Sequence, residues 1–171
     1  MIKRITIPKK GAYSGALSMN IIIRKAEKTD FVAVRNIMDQ VQQMHVEWRP
    51  DVYRLNDDLI SEERFDFMLD AGDLYVADAE GKTVGVLEIA FRHIESPAQV
   101  TRDVIFIASM AVDSGFRGMG IGHKFFEKVK ELKTLSGADS IELQVNAKNR
   151  AAYEMYKKYG FTEKSINMEL R

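Results

Sequence analysis

Residues 103–112, DVIFIASMAV, are apolar at almost every position. A strand with one wet face alternates in polarity, whereas a run apolar throughout has to be covered on both faces. The chain must therefore build a sheet with layers on either side. IIIRK (21–25) reads as a short strand running into a helix start at Thr29 and Asp30. Phe31, Val34, Ile37, Met38, Val41 and Met44 then recur at helical spacing and form one core-facing stripe. HVEWRPDVYR (45–54) breaks that pattern at Pro50 and reads as a loop, and a second helix from Ser61 to Leu69 turns Phe65, Met68 and Leu69 inward. LYVADAEGKTVGVLEIAF holds two strands about a turn at Glu80-Gly81-Lys82. After the apolar run, Ile121, Phe125, Val129 and Leu132 mark a helix closed near Gly137. SIELQV is a strand with Ile141, Leu143 and Val145 on one face. A last helix runs from Asn149 to Tyr159 and stops at Gly160, and a closing strand carries Ile166, Met168 and Leu170. The predicted order is β-α-α-β-β-β-α-β-α-β, a single α/β domain whose mixed sheet is flanked by helices.

Composition narrows the function classes. At 171 residues, 46% hydrophobic and 29% charged, the chain suits one soluble domain. Basic and acidic residues number 25 each, and this balance argues against a nucleic-acid partner. No apolar run has the length of a membrane span, so no membrane partner is expected. Cysteine is absent, which excludes a disulfide framework, a thiolate metal site and a cysteinyl acyl-enzyme. His45, His93 and His123 lack metal-ligand spacing, and no metal is expected. The first eighteen residues carry Lys3, Arg4, Lys9 and Lys10 and no acid. They read as a loosely ordered basic extension, or as a start upstream of Met19, more than as a targeting peptide. The domain proper is 19–171, and the cytoplasm is the default location.

The apolar run leads into VDSGFRGMGIG, where Gly115, Gly118, Gly120 and Gly122 precede a helix. A plain turn needs one or two glycines. Four of them bare the backbone and expose consecutive N–H groups at a helix N-terminus, where unpaired amides and the helix dipole attract an anion such as phosphate. Arg117 adds a planar fork suited to phosphate oxygens. A nucleoside-triphosphate loop would need Lys where Ile121 stands. A dinucleotide loop would need G-x-G-x-x-G after the first strand, not G-x-G-x-G after the fourth.

RGMGIG (117–122), following SMAVDSGF, resembles the acetyl-CoA pyrophosphate loop of the GNAT superfamily of N-acetyltransferases. LQVNAKNRAAYEMYKKYGF (143–161) resembles that family's second signature, and the element order from Ile21 onward suits the family's fold. The resemblance implies acetyl-CoA as co-substrate and direct attack by a primary amine in a ternary complex. It implies that Arg117, Gly118, Met119, Gly120, Ile121 and Gly122 hold the pyrophosphate, chiefly through main-chain N–H groups. Met110, Ala111 and Val112 would pair with the pantetheine arm as an added strand does. They would do so where the fourth strand bulges and splays from the fifth, with the Val112 N–H as donor to the thioester carbonyl. Asn149 would contact the cofactor, or simply cap its helix, and Ala152 would keep that helix close, or simply pack. Tyr156 matches the family's general acid, against a plain core tyrosine beside Tyr153 and Tyr159. Glu88, read as sharing a face with Val84, Val86 and Ala90, is the candidate base, or the partner of Arg92 in a structural ion pair. The acceptor would meet residues 40–72 and 91–103, with Trp48, Tyr53, Phe67 and Phe91 as aromatic walls, although core packing suits Phe67 better. A small-molecule amine is the expected acceptor. A protein or peptide N-acetyltransferase, and a non-catalytic acyl-CoA-binding module, are the alternatives. A homodimer is left open.

Overall fold

The structure, a computed structural model, describes residues 19–171. The basic extension, 1–18, lies outside the described residues. Five strands form one sheet in the order β1-β2-β3-β4-β5. They are β1 (Ile21–Lys25), β2 (Leu74–Ala79), β3 (Lys82–Ser96), β4 (Gln99–Val112) and β5 (Ser140–Leu143). The first four pair antiparallel and β5 joins β4 in parallel, so the sheet is mixed, as predicted. Between the strands lie α1 (Phe31–Trp48), α2 (Glu62–Asp70), α3 (Ile121–Ser136) and α4 (Arg150–Lys158).

The apolar run became an interior strand of a sheet that has a layer on each face. On the α1 side, however, only Ala111 of the run lies under the helices, and Ala108, at a break in the register, is exposed. On one face Val34 and Ile37 of α1 and Phe65 and Met68 of α2 pack on Leu74, Val76, Val86 and Ala111. On the other, Ile121, Phe125, Phe126 and Val129 of α3 cover Ala77, Val84, Leu87, Ile89, Ile105 and Ile107, with Met155 and Tyr156 of α4 at the margin. No helix among the described residues is long and apolar enough to cross a membrane.

The closing strand is a correction. Residues 161–171 have no regular structure, and Ile166, Met168 and Leu170 point into solvent, Leu170 at 99% exposure. Alternation makes a strand only where one face finds apolar cover and the backbone finds a ladder. Here the charged residues of the segment find counter-ions instead: Lys164 pairs with Glu142, Glu169 with Arg49 and Arg171 with Asp51. Among the described residues the sheet therefore has five strands, not six, and β5 stops at Leu143, short of Val145.

The start of α1 is pinned by a buried carboxylate. Asp30 is 3% exposed. It accepts from Arg24 Nη1 at 2.7 Å and Nη2 at 3.0 Å, from the Glu27 N–H at 2.8 Å and from the Thr83 hydroxyl. Arg24 also reaches Asp78 at 3.0 Å, so β1, β2, β3 and α1 meet in one network. Burial pushes the Asp30 carboxyl up, but the bonds from Arg24, Thr83 and Glu27 outweigh it and hold the group below its ordinary value. A carboxyl depressed on folding contributes stability that is complete above its unfolded pKa and is lost as pH falls through the folded one. Asp30→Asn is expected to cost on the order of 3 kcal/mol at pH 7, because it leaves the guanidinium short of its main partner. In urea titrations the gap between parent and variant should begin to narrow below about pH 4, where the unfolded chain's carboxyl takes up its proton. It should close only as pH falls through the lower value of the folded carboxyl. A gap that stays constant to low pH would show that charge is not what Asp30 contributes.

Candidate active site

The pairing of β4 with β5 runs from Val104↔Ser140 to Ile107↔Leu143 and ends there. On its other edge β4 pairs Ser109 with Glu88 and Ile107 with Ile89, which leaves Ala108 as a bulge. Beyond the bulge the Asp113 N–H donates to Val84 O at 2.9 Å. That bond sets the phase of the antiparallel ladder, in which alternate residues face toward and away from the partner strand. Ala111 then turns its N–H to β3, while Met110 and Val112 turn theirs into the gap left by β5. The Val112 carbonyl, turned the same way as its N–H, accepts from Arg117 Nε at 3.2 Å. A bulged, parted strand thus presents two backbone N–H groups along an open slot.

The slot leads into the glycine loop. Asp113 caps a short turn, Ser114–Phe116, by accepting the Gly115 N–H at 2.9 Å. Gly118 and Gly120 follow, each left-handed at φ +79°, and a Cβ built on either would meet no atom within 4 Å. Only glycine takes that backbone without strain, and the empty Cβ positions leave room for a ligand to approach the main chain. The first bond inside α3 runs from the Lys124 N–H to Gly120 O at 3.2 Å, so Ile121, Gly122 and His123 have N–H groups with no helical partner. Such a terminus receives anions. A Cβ at Gly122 would lie 3.7 Å from Met155 Sδ, an ordinary contact, where α4 leans on α3. Within the loop Ile121 is buried in the core, whereas Met119 is half exposed.

Asn149 caps α4, its Oδ1 accepting the Ala152 N–H at 3.1 Å. The cap reading of Asn149 is therefore realised, and its amide nitrogen has no partner among the described residues. Three tyrosines follow on α4 and its end, and their surroundings separate them. Tyr153 donates to Glu163 at 2.7 Å, and the Tyr159 hydroxyl lies 3.0 Å from His123 Nδ1. Tyr156 sets its ring edge-on against Phe126 and Phe161, centroids 5.8 Å away in each case. Its hydroxyl has no partner among the described residues, and burial pushes the phenol above its ordinary value. A group so placed holds its proton at neutral pH and has it free to give.

Glu88 is half-buried next to the Ala108 bulge, between Leu74 and Ser109. Its face differs from the one expected. Ala77 pairs with Gly85 and Asp78 with Thr83, so Val84 is an extra residue in β3 and turns to the α3 side. Glu88 accordingly shares the α1 side with Val86 and Ala90, not with Val84. Arg92 is no partner either, because its guanidinium sits over the Phe106 ring, 3.5 Å from the centroid.

Beyond the slot, Trp48 and Tyr53 gather around His45, with ring centroids 5.8 and 5.0 Å from its own. Burial pushes the His45 imidazole below its ordinary value, so the ring is neutral at pH 7. Phe67, for which core packing was preferred, is 74% exposed, and Phe91 is half exposed. Between α1 and the glycine loop opens a shallow cleft of about 520 Å³, lined by Asn36, Asp39, Gln40, Gln43, Met44, Glu47, Ser114 and Arg117. Nothing in the sequence singles out Gln40. Yet its Nε2 donates to Asp113 Oδ2 at 3.0 Å and its Oε1 accepts the Ser114 N–H at 2.9 Å. It occupies a polar position between two core residues of an amphipathic helix, so only the tertiary contact could reveal it.

Comparisons with known proteins bear on this arrangement. The model of the acetyltransferase (GNAT) family matches residues 38–161. An uncharacterised N-acetyltransferase of Methanocaldococcus jannaschii is 34% identical over 57% of this chain and 42% of its own length. An N-alpha-acetyltransferase of Sulfolobus acidocaldarius is 33% identical over 52% of this chain and 55% of its own. The chain thus spans about half the length of these curated relatives. Among solved structures, a tetramutant of the BH1408 protein from Bacillus halodurans superposes with a TM-score of 0.79 at 28% identity, covering 88% of this chain and 99% of that one.

Proposed function

The chain belongs to the acetyltransferase (GNAT) family, and from that premise we propose that it transfers an acetyl group from acetyl-CoA to a primary amine. One observation carries the reading: β4 parts from β5 and runs straight into a helix terminus whose N–H groups are free. The residues present fit acetyl-CoA, because the Cβ positions of Gly118 and Gly120 are open and the amides behind them unpartnered. When bound, that molecule supplies the acyl group as a thioester.

The chain's own residues divide the work. The main-chain N–H groups from Gly118 to Gly122, those of Met119, Gly120 and Ile121 among them, bind the pyrophosphate, and Arg117 offsets its charge. The Met110 and Val112 N–H groups pair with the pantetheine arm as a strand would, while Ala111 anchors that segment to β3. The Val112 N–H donates to the carbonyl oxygen where negative charge develops during attack. The amide nitrogen of Asn149, without a partner among the described residues, contacts the cofactor, and Ala152, small at the next turn, lets the helix lie close. A lysine-like amine has a pKa of about 10.4 and reaches the slot protonated. Glu88 takes that proton, directly or through water, and Tyr156 gives its own to the departing sulfur. With no cysteine in the chain, direct attack in a ternary complex is the route.

For the acceptor we favour a small cationic amine, because Asp39 and Glu47 put two carboxylates in the cleft beside the loop. A peptide N-terminus is the second reading, supported by the openness of that cleft and by the likeness to an N-alpha-acetyltransferase. Release of free thiol from acetyl-CoA across polyamines, aminoglycosides and peptides decides between them. Binding of CoA with no turnover on any amine would leave the non-catalytic acyl-CoA module.

Gly120→Val should abolish CoA binding in calorimetry while the protein still folds. The new side chain enters the open side of the loop, and left-handed backbone costs it roughly 1–2 kcal/mol. A variant that binds CoA like the parent would move the cradle elsewhere. Tyr156→Phe should leave CoA affinity nearly unchanged and lower kcat by about 10²–10⁴-fold, the range of a lost general acid. The defect should shrink with an acyl donor whose thiol is more acidic. Parent-like turnover would remove the assignment, and lost CoA binding would make Tyr156 a packing residue.

A further inference from the structure

We propose that Gln40, on α1, is a positioning residue that sets the start of the pyrophosphate loop, an inference that rests on the acetyl-CoA reading of that loop. The loop follows β4, where Asp113 and Ser114 present an acceptor and a donor side by side: a carboxylate oxygen and a main-chain N–H. A carboxamide matches such a pair, having one donor and one acceptor on the same plane. Gln40 makes both bonds, Nε2 to Asp113 Oδ2 at 3.0 Å and Ser114 N–H to Oε1 at 2.9 Å.

The clamp passes directly to the glycines. With one oxygen held by Gln40, Asp113 uses the other to accept the Gly115 N–H at 2.9 Å, and its carbonyl accepts the Phe116 N–H at 2.9 Å. Those bonds form the turn that aims Arg117, Gly118 and Gly120. Phe116 packs on the core and Arg117 Nε holds Val112 O, but residues 117–120 are exposed, and Gly118 and Gly120 are there because the backbone must be left-handed. A loop so rich in glycine has the most conformational entropy to lose on binding a ligand. Holding its first residues from a helix 73 positions earlier in the chain removes part of that cost before the ligand arrives.

The test separates loop positioning from general stability. Gln40→Met keeps the length of the side chain and removes both bonds. It should raise KM for acetyl-CoA and Kd for CoA by about tenfold, the worth of a net hydrogen bond or so. The value of kcat should stay within about twofold of the parent, as expected when only binding is lost. S-acetylpantetheine, a donor with no pyrophosphate, should show no change in KM. Gln40→Glu alone should weaken CoA binding at least as much, since it sets a carboxylate against Asp113. Combining Gln40→Glu with Asp113→Asn exchanges donor and acceptor across the contact and restores every bond, so affinity should return to within about threefold of the parent.

In the ligand-free protein, the amide resonances of Gly115, Gly118 and Gly120 should shift in the Gln40→Met variant and return in the double variant. Equal losses on both donors, failed rescue, or unmoved glycine resonances would each overturn the proposal. A parent protein that binds no CoA while its glycine resonances respond to Gln40→Met would instead sink the cofactor reading and leave the clamp standing.

Discussion

One buried carboxylate governs how the two ends of the molecule relate. Asp30 is costly to bury, and the structure offsets that cost with two bonds from Arg24, one from the Glu27 N–H and one from Thr83. Its position is therefore fixed by β1 and β3 at once, with β2 joined through the Arg24–Asp78 pair, and with it the origin of α1. Ten residues further along, about 15 Å at the rise of an α-helix, Gln40 meets the loop that follows β4. The helix acts as a strut between the sheet's buried ion network and its glycine loop. An apolar stripe alone would hold α1 against the sheet without deciding its register along it.

The slot is a second consequence of geometry overriding pairing. A sheet gains by keeping its backbone groups bonded, and an interior strand with free N–H groups is unusual. β4 has them because the Ala108 bulge bends the strand away, and because β5 runs out at Leu143. In the proposed reaction a ligand restores what the fold leaves unmade. The same logic applies at α3, where the first N–H groups of the helix have no internal partner and no side-chain cap. Both openings lie on one continuous path of main chain, from Met110 to Gly122.

The three tyrosines on α4 and at its end differ in what their surroundings leave free. They recur every third residue and look alike in sequence. Tyr153 is committed to Glu163 at the surface and Tyr159 to His123, whereas Tyr156 is held by two phenylalanine rings with its hydroxyl uncommitted. Packing fixes the ring and leaves the proton available. Aromatic neighbours also account for the raised phenol, because burial disfavours the phenolate.

What the amino-acid order determined by itself was everything that depends on near neighbours. The apolar run 103–112 required cover on two faces, the periodicity of α1 and α3 named their buried sides, and glycines at 118 and 120 announced a left-handed backbone ahead of a helix. The likeness of RGMGIG and YEMYKKYGF to family signatures added the chemistry. What needed the tertiary structure was everything set by partners distant in the chain. The extra residue at Val84 reversed the strand's parity, so Glu88 faces α1 without Val84 beside it. The alternation at 166–170 found no surface to cover it and stayed out of the sheet. Gln40, an unremarked polar residue in an amphipathic helix, became the anchor of a loop 73 positions away. A local pattern records what each residue prefers. Register, bulges and long-range hydrogen bonds come from which surfaces finally meet, and only the folded chain brings them together.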